Sequence, residues 1–251
     1  MRRVQIQLTP AAGKRLIAKA VVEREDVKKA LKEGKIFVIG GTTNAYVANA
    51  LLEAVGEEPS VKFEAFHRGV VVAPGTKLIS AEQAGDLLID HGKALFTKQE
   101  DLPEVCAGLG KGDIIFKGAN AVHLASKTAG VLIGNPGNGG TIHEASGAVL
   151  SRRAKLILPV GVEKRVEVPV AQLSQLVLDP EAEGLRLFDA PGEPITELDA
   201  IRLLTGCDAE IVGAGGVAGA EGCVYLQAWG GDLEKLAALV REVRLEKPVV
   251  C

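Results

Sequence analysis

Short runs of apolar residues alternate along the chain with stretches in which apolar residues recur at helical spacing. The clearest example is the apolar run at residues 36–39, which is followed by Gly40 and Gly41 and then by a stretch with one apolar helical face. Consecutive apolar residues are typical of a strand covered on both faces, and the spacing i, i+3, i+4 is typical of a helix. The segment is therefore predicted to form a strand, a glycine turn and a helix.

The same alternation continues along the chain and predicts the fold class. Further apolar runs indicate strands at residues 94–98, 113–119, 130–134 and 155–161. Helices are predicted after a Thr9-Pro10 cap, before Gly34, at 81–91 and between 134 and 151. The segment 63–75 is strand-like, but its place in the order is left open. Strands that alternate with helices favour a mostly parallel sheet with helices on both faces, so the predicted fold class is α/β.

The pattern changes after residue 187. The Pro/Gly segment 189–194 is predicted to be a linker, and it is followed by a helix, two strands separated by a glycine loop, and a last helix at 232–243. We therefore expect a core domain at residues 1–188 and a small α+β domain at residues 189–251. The last helix is apolar on one side and charged on the other. It is expected to pack on the two strands or on a partner, and a homo-oligomer is expected.

Composition excludes several classes of protein. The chain has 251 residues, a net charge of −3 and only 4% aromatic residues, which argues against direct binding of nucleic acid. No apolar run approaches the roughly 20 residues of a membrane span or forms a signal peptide, so no membrane partner and a cytoplasmic location are expected. The four cysteines, at 106, 207, 223 and 251, have no metal-ligand spacing. No metal site and no cofactor are predicted.

Glycine is enriched, with 30 residues, and two glycine turns precede predicted helices. The first contains Gly40, Gly41, Thr42 and Thr43. Such a turn brings backbone N–H groups and hydroxyls to the positive end of a helix, which favours an anion. It lacks the P-loop and dinucleotide patterns, and a plain turn with a threonine cap is the alternative.

The second turn is longer and spans residues 134–140. It is followed by Thr141 and Glu144 at the spacing of a capping box, so the helix is predicted to start there. Glu144 is either part of that cap or a carboxylate base that faces a ligand. The residues predicted to contact the ligand are Asn135, Gly137, Asn138, Gly139, Gly140, Thr141 and His143.

Three further segments are considered for the site. Residues 117–123 follow a predicted strand, which puts Lys117, Asn120 and His123 at the same edge of the sheet. Lys164 follows the next parallel strand and either pairs with a phosphate or is merely solvated. The third glycine-rich segment, 213–222, leads into a strand rather than a helix, and is predicted to be a hairpin loop.

Four motifs follow one another in an order that resembles a known superfamily. They are GGTTNAYVANAL (40–51), DIIFKGANAV (113–122), GNPGNGGTIHEA (134–145) and AKLILPVGVEK (154–164). The order is similar to that of the superfamily of type A ribose-5-phosphate isomerases, glucosamine-6-phosphate deaminases, the sugar-sensing domains of DeoR-type repressors and CoA transferases. The resemblance implies a Rossmann-like three-layer α/β/α core with a small α+β domain.

The chain departs from this family at the place of its acidic motif. Where the isomerases carry acidic residues, it has Lys117, Asn120 and His123, while Glu144 falls at the matching place for the catalytic base. The resemblance therefore implies a small phosphorylated or anionic metabolite, with a sugar phosphate favoured, bound at the turns 40–44 and 134–144. Glu144, Lys117 and Asn120 are the candidate catalytic residues. A non-catalytic sensor or interaction protein and a CoA-ester enzyme are the alternatives, and whether the protein is an enzyme is left open.

Overall fold

The computed structural model describes residues 2–69, 71–72, 74–75, 85–135 and 137–248, and it has an α/β fold. The helices are α1 (Pro10–Glu23), α2 (Glu25–Glu33), α3 (Thr42–Ala54), α4 (Leu102–Ala107), α5 (Gly140–Arg152), α6 (Val170–Leu178), α7 (Glu197–Thr205) and α8 (Leu233–Val243). The strands are β1 (Arg3–Leu8), β2 (Lys35–Val38), β3 (Leu87–Asp90), β4 (Lys93–Phe96), β5 (Ile114–Phe116), β6 (Ala121–His123), β7 (Thr128–Ile133), β8 (Lys155–Pro159), β9 (Arg186–Ala190), β10 (Glu193–Ile195), β11 (Asp208–Ala214) and β12 (Val224–Trp229).

The central sheet has six strands in the order β10-β8-β5-β2-β3-β4. The first four strands in this order are mutually parallel, and β3 and β4 continue the sheet in antiparallel pairing. The predicted α/β class is confirmed, and the sheet is mixed. Parallel pairing places the carboxyl ends of β10, β8, β5 and β2 at one edge, which positions the candidate site.

Both faces of this sheet are covered, because the side chains of a strand alternate between its faces. In β2, Ile36 and Val38 pack into the cluster formed with α1, α3 and α7. Phe37 points to the opposite face and packs with α4 and α5. The consecutive apolar residues of β2 are all buried, which explains why the sequence has no alternation there.

A second sheet, β6-β7-β9, lies in the cluster on the α4 and α5 side of the central sheet. It contains the strand predicted at 130–134, which was expected to lie in the parallel sheet and is instead antiparallel to both of its neighbours. The reason is the tight turn between β6 and β7, in which Lys127 has a φ of 50°. The chain reverses there within four residues, whereas a parallel neighbour needs a long crossover.

Three local predictions are wrong or incomplete. Instead of a helix at 81–91 the chain forms β3 at Leu87–Asp90, paired antiparallel with β2, and residues 81–84 of that prediction lie outside the described part. No described residue of segment 63–75 belongs to a strand. The predicted linker at 189–194 contributes to β9 and β10 instead. For residues 87–90 and 189–194, pairing with another strand decides the outcome, and local spacing does not report such pairing.

The C-terminal elements form as predicted, with one addition from the other end of the chain. Strands β11 and β12 are an antiparallel pair, so segment 213–222 is the loop of a hairpin. Strand β1 pairs with β12 and completes a three-stranded sheet. Its alternation of Val4, Ile6 and Leu8 is the signal for a strand that the sequence reading passed over.

The expected boundary at 188/189 falls within β9, and α7 packs on α1.

Among the described residues, no helix is long and apolar enough to cross a membrane. Cys106, Cys207 and Cys223 are buried free thiols, and Cys251 lies outside the described residues.

Candidate functional site

The carboxyl ends of the four parallel strands bring four separate chain segments to one edge of the sheet. Gly40 follows β2, Lys117 follows β5, Glu163 and Lys164 follow β8, and Glu197 follows β10. Ligands of open α/β sheets bind beyond this edge, where helices begin and backbone N–H groups point outward.

A cavity of about 370 Å³ opens at this edge, beside the start of α5. We call it the Lys117 cavity. Its wall includes Arg68, Lys117, Glu144, and the loop residues Gly134, Asn135, Asn138, Gly139, Gly140 and Thr141. The structure thus brings together two of the three predicted catalytic residues and most of the second glycine loop.

Lys117 is buried, with 8% of its surface exposed, although it lines the cavity. Burial lowers the pKa of its ammonium group from 10.5 to about 8, while Asp86 opposes this shift and the positive charges of Arg68 and Lys164 add to it. Among the described residues, none accepts a hydrogen bond from its Nζ atom. A buried cation without a local acceptor is costly in a folded protein unless a ligand or a proton loss compensates.

A buried ion pair lies close enough to Lys117 to affect its charge. The carboxylate of Asp86 is fully buried, and its Oδ1 atom accepts hydrogen bonds from Nη2 of Arg68 at 2.7 Å and from the backbone N–H of Gly40 at 2.8 Å. Nη1 of Arg68 and Oδ2 of Asp86 are buried with no partner among the described residues. Sequence analysis missed both residues, because neither belongs to a motif and only the fold brings them to the strand ends.

The first glycine turn differs from the expectation of an open anion site. Its Gly40 N–H is bound by Asp86, and its Gly41 N–H donates to the carbonyl of Phe66 at 3.0 Å. The hydroxyl of Thr42 accepts a hydrogen bond from Lys14 at 3.1 Å, and Thr43 is buried. None of these four predicted ligand residues is in the wall of the Lys117 cavity. The place of an anion at this turn is taken by the protein's own carboxylate.

The second glycine loop is organised by its two asparagines. The side chain of Asn135 accepts from the N–H of Gly137 at 2.9 Å, and that of Asn138 accepts from the N–H of Gly140 at 3.0 Å. Gly139 and Gly140 both have positive φ, at 73° and 67°, which explains the need for glycine at these positions. Pro136 of this loop lies outside the described residues.

The start of α5 differs from the predicted capping box. The N-cap is Gly139, which makes no side-chain cap hydrogen bond, and Thr141 is already within the helix. The left-handed conformation of Gly139 and Gly140 makes the turn that a threonine cap would otherwise make. Among the described residues, no acceptor outside the helix binds the N–H of Thr141 or Ile142. Glu144 therefore does not cap the helix. Its half-buried side chain lines the cavity.

The remaining predicted site residues lie outside the cavity wall. His143 is exposed and packs against Gly139. Asn120 is exposed, and its side chain accepts a hydrogen bond from the N–H of Leu132 at 3.1 Å, so it holds β7 in place. Lys164 donates to the carbonyl of Ala119 at 2.9 Å, and His123 contacts Ser126. Of the three predicted catalytic residues, Lys117 and Glu144 line the cavity and Asn120 does not.

A pair of carboxylates lies further along the same edge. Glu197, at the start of α7, is buried, and its Oε2 atom accepts the N–H of Val162 at 2.8 Å. Burial and the neighbouring carboxylate of Glu163 raise the pKa of Glu197 to about 8. Gly13 of α1 leaves the room for this carboxyl group, because a Cβ atom there would overlap it. This buried acid also escaped the sequence analysis.

A larger groove, of about 750 Å³, runs between α1, α2 and α3. Its charged residues are mainly on the surface, and they include Glu23, Lys28 and Glu53, with the ion pair of Lys28 and Glu23 at 2.9 Å. It lies away from the carboxyl ends of the parallel strands and contains no buried charge, so it is a weaker candidate than the Lys117 cavity.

Comparison of the chain with models of protein families, with curated proteins and with solved structures gave no match. No group of three or more potential metal ligands occurs within the described ranges. The function is therefore inferred from the geometry of the site.

Proposed function

We propose that the protein binds a small phosphorylated or otherwise anionic metabolite, with a sugar phosphate favoured, in the Lys117 cavity. The observation that carries this proposal is the buried ammonium group of Lys117, which lines a cavity without an acceptor among the described residues. Arg68, which forms the ion pair with Asp86, lies in the same wall. An anionic ligand would compensate the cost of burying Lys117, because a charge-assisted hydrogen bond replaces lost hydration.

The start of α5 supports the same ligand class. The N–H groups of Thr141 and Ile142, which bind no acceptor outside the helix in the described part of the chain, and the positive end of the helix dipole favour an oxyanion. Both residues line the cavity. The ligand is thus expected to bind between this helix end and Lys117, with the 134–144 loop as its main contact. The turn at 40–44 supports the site indirectly, through the contact of Gly40 with Asp86.

Glu144 is the carboxylate that lines the cavity within the described part of the chain, and this position supports an acid–base role. Interconversion of an aldose and a ketose requires a base that moves a proton between adjacent carbons, and a cation that stabilises the enediolate. Glu144 and Lys117 supply one group of each kind. We therefore infer a reaction of the isomerase type, on a Rossmann-like core related to the sugar-phosphate superfamily that the motif order resembles.

A thermal-shift screen tests the ligand class. Ribose 5-phosphate at a concentration of about 100 times its dissociation constant is expected to raise the melting temperature by roughly 5 °C or more, since ligand binding to the folded state stabilises it. Ribose, which lacks the phosphate, is the matched control and is expected to have little effect. A screen in which no phosphorylated sugar raises the melting temperature contradicts the proposal.

The variant Glu144→Gln separates an enzyme from a binding protein. It is expected to keep the affinity for the sugar phosphate and to lose turnover, because glutamine preserves the shape but accepts no proton. Glu183→Gln, which changes an exposed carboxylate, is the control that should keep both properties. Retained turnover in the Glu144→Gln protein would exclude Glu144 as the base.

A further inference from the structure

We propose that Lys117 is a nucleophile that forms an imine with the carbonyl carbon of a small phosphorylated aldehyde or ketone bound in the Lys117 cavity. This inference rests on the proposed function of the cavity and deepens it, because it assigns a chemical group to the ligand in addition to its charge.

The position of Lys117 is suited to attack. Lys117 directly follows β5, a buried central strand that holds its backbone in place. The residue is 8% exposed and lines the cavity. No acceptor within the described ranges holds its Nζ atom. Other lysines near this edge are engaged, since Lys164 donates to the carbonyl of Ala119 and Lys14 donates to Thr42. Lys117 therefore combines access to the cavity with a free amine.

The surroundings of Lys117 raise the fraction of its neutral amine, which is the reactive form, above that of an ordinary lysine. Burial lowers the pKa of Lys117 to about 8. The charged groups that face it are Asp86, which opposes the shift, and Arg68 and Lys164, which add to it, with Glu144 on the wall of the same cavity. A substantial fraction of Lys117 is thus neutral near pH 7.5, whereas an exposed lysine with a pKa near 10.4 is almost entirely charged.

The chemical step balances within the groups that are present. The ammonium group of Lys117 first transfers one proton to the Glu144 carboxylate. The lone pair of Nζ then forms a bond to the carbonyl carbon, and the electrons of the C=O π bond move to the oxygen, which takes that proton from Glu144. The nitrogen loses one proton to the Glu144 carboxylate, and its lone pair then expels the hydroxyl group, which takes that proton and leaves as water. In the net reaction, a protonated amine and a carbonyl compound give a protonated imine and one water molecule. No oxidant or reductant is consumed.

Reductive trapping tests the proposal. The protein is incubated with dihydroxyacetone phosphate and sodium cyanoborohydride at pH 7.5, and the adduct is located by mass spectrometry of peptides. Reduction fixes the imine as a secondary amine, so the peptide that contains Lys117 gains the mass of the probe less one oxygen atom. We expect Lys117 to be labelled at least about tenfold faster than the exposed Lys111 of the same sample, because its neutral fraction is larger.

Two controls separate this inference from the proposed function. Glycerol 3-phosphate has the same phosphate but a hydroxyl group in place of the carbonyl, so it is expected to bind without forming an adduct. Lys117→Arg keeps a positive charge and is expected to lose the adduct at this position, while Lys111→Met keeps it. Binding of glycerol 3-phosphate with no preferential labelling of Lys117 overturns the imine and leaves the proposed function standing. If neither phosphate binds the intact protein and Lys117 is not labelled, both proposals are overturned.

Discussion

The Asp86→Ala variant is expected to lose about 3–5 kcal/mol of unfolding free energy, which is the largest effect we expect from a single substitution in this protein. Asp86 is fully buried and is the partner of Arg68, whose side chain is 13% exposed. Its removal leaves a buried guanidinium group without a countercharge, and it also leaves the N–H of Gly40 without an acceptor. Chemical denaturation of the wild type and the variant measures the difference.

A double variant distinguishes a lost ion pair from general damage to the core. When Arg68→Met is combined with Asp86→Ala, the guanidinium group that loses its countercharge in Asp86→Ala is removed as well, so the double variant is expected to be more stable than Asp86→Ala alone. Additive losses from the two substitutions would mean that the pair is not coupled. That result would contradict the structural role given to Asp86.

The Glu197→Gln variant is expected to be more stable than the wild type at pH 9 and to differ little from it at pH 5. The pKa of Glu197 is raised from 4.5 in the unfolded chain to about 8 in the folded protein. The folded state therefore binds the extra proton between these values, and the stability that this provides is present below pH 4.5 and is lost as the pH rises to about 8. Glutamine has no charge to lose and keeps an oxygen for the N–H of Val162.

Urea denaturation at several pH values between 5 and 9 measures this effect. The stability difference between Glu197→Gln and the wild type is expected to grow across this range to more than about 2 kcal/mol. The groups that face Glu197 are Glu163 and Lys164, so the exposed Glu183 serves as the control position, and Glu183→Gln should show no such growth. A difference that does not change with pH would contradict a carboxyl group held protonated by burial.

Much of the fold could be predicted because its central elements carry strong local signals. The buried run of β2, the glycines after it and the apolar face of α3 define one unit, and the structure has that unit. Strand β3 was mistaken for a helix because Leu87 and Leu88 fit both spacings, and its pairing with β2 decides the matter. The antiparallel β7 was misplaced for the same reason, since pairing partners are set by the whole chain.

The candidate site was predictable only in part. Lys117 and Glu144 could be named because each follows a strand or a glycine loop at the expected edge of the sheet. Arg68, Asp86 and Glu197 could not, because what distinguishes them is burial, and burial of a charged residue has no signature in a single sequence. The capping box at Thr141 was a wrong prediction for a related reason. Its spacing is correct, but the two glycines before it already make the turn.

Isothermal titration of ribose 5-phosphate into three proteins tests the central claim, that Lys117 holds an anion in its cavity. The wild type and Lys111→Met are expected to bind it, and Lys117→Met is expected to bind it at least about tenfold more weakly, since a hydrogen bond to a charged group contributes about 1.5–3 kcal/mol. Methionine is apolar and of similar length, so a folded variant is expected, which denaturation confirms independently. Equal affinity of the folded Lys117→Met variant and the wild type, or no binding by the wild type, would contradict the account.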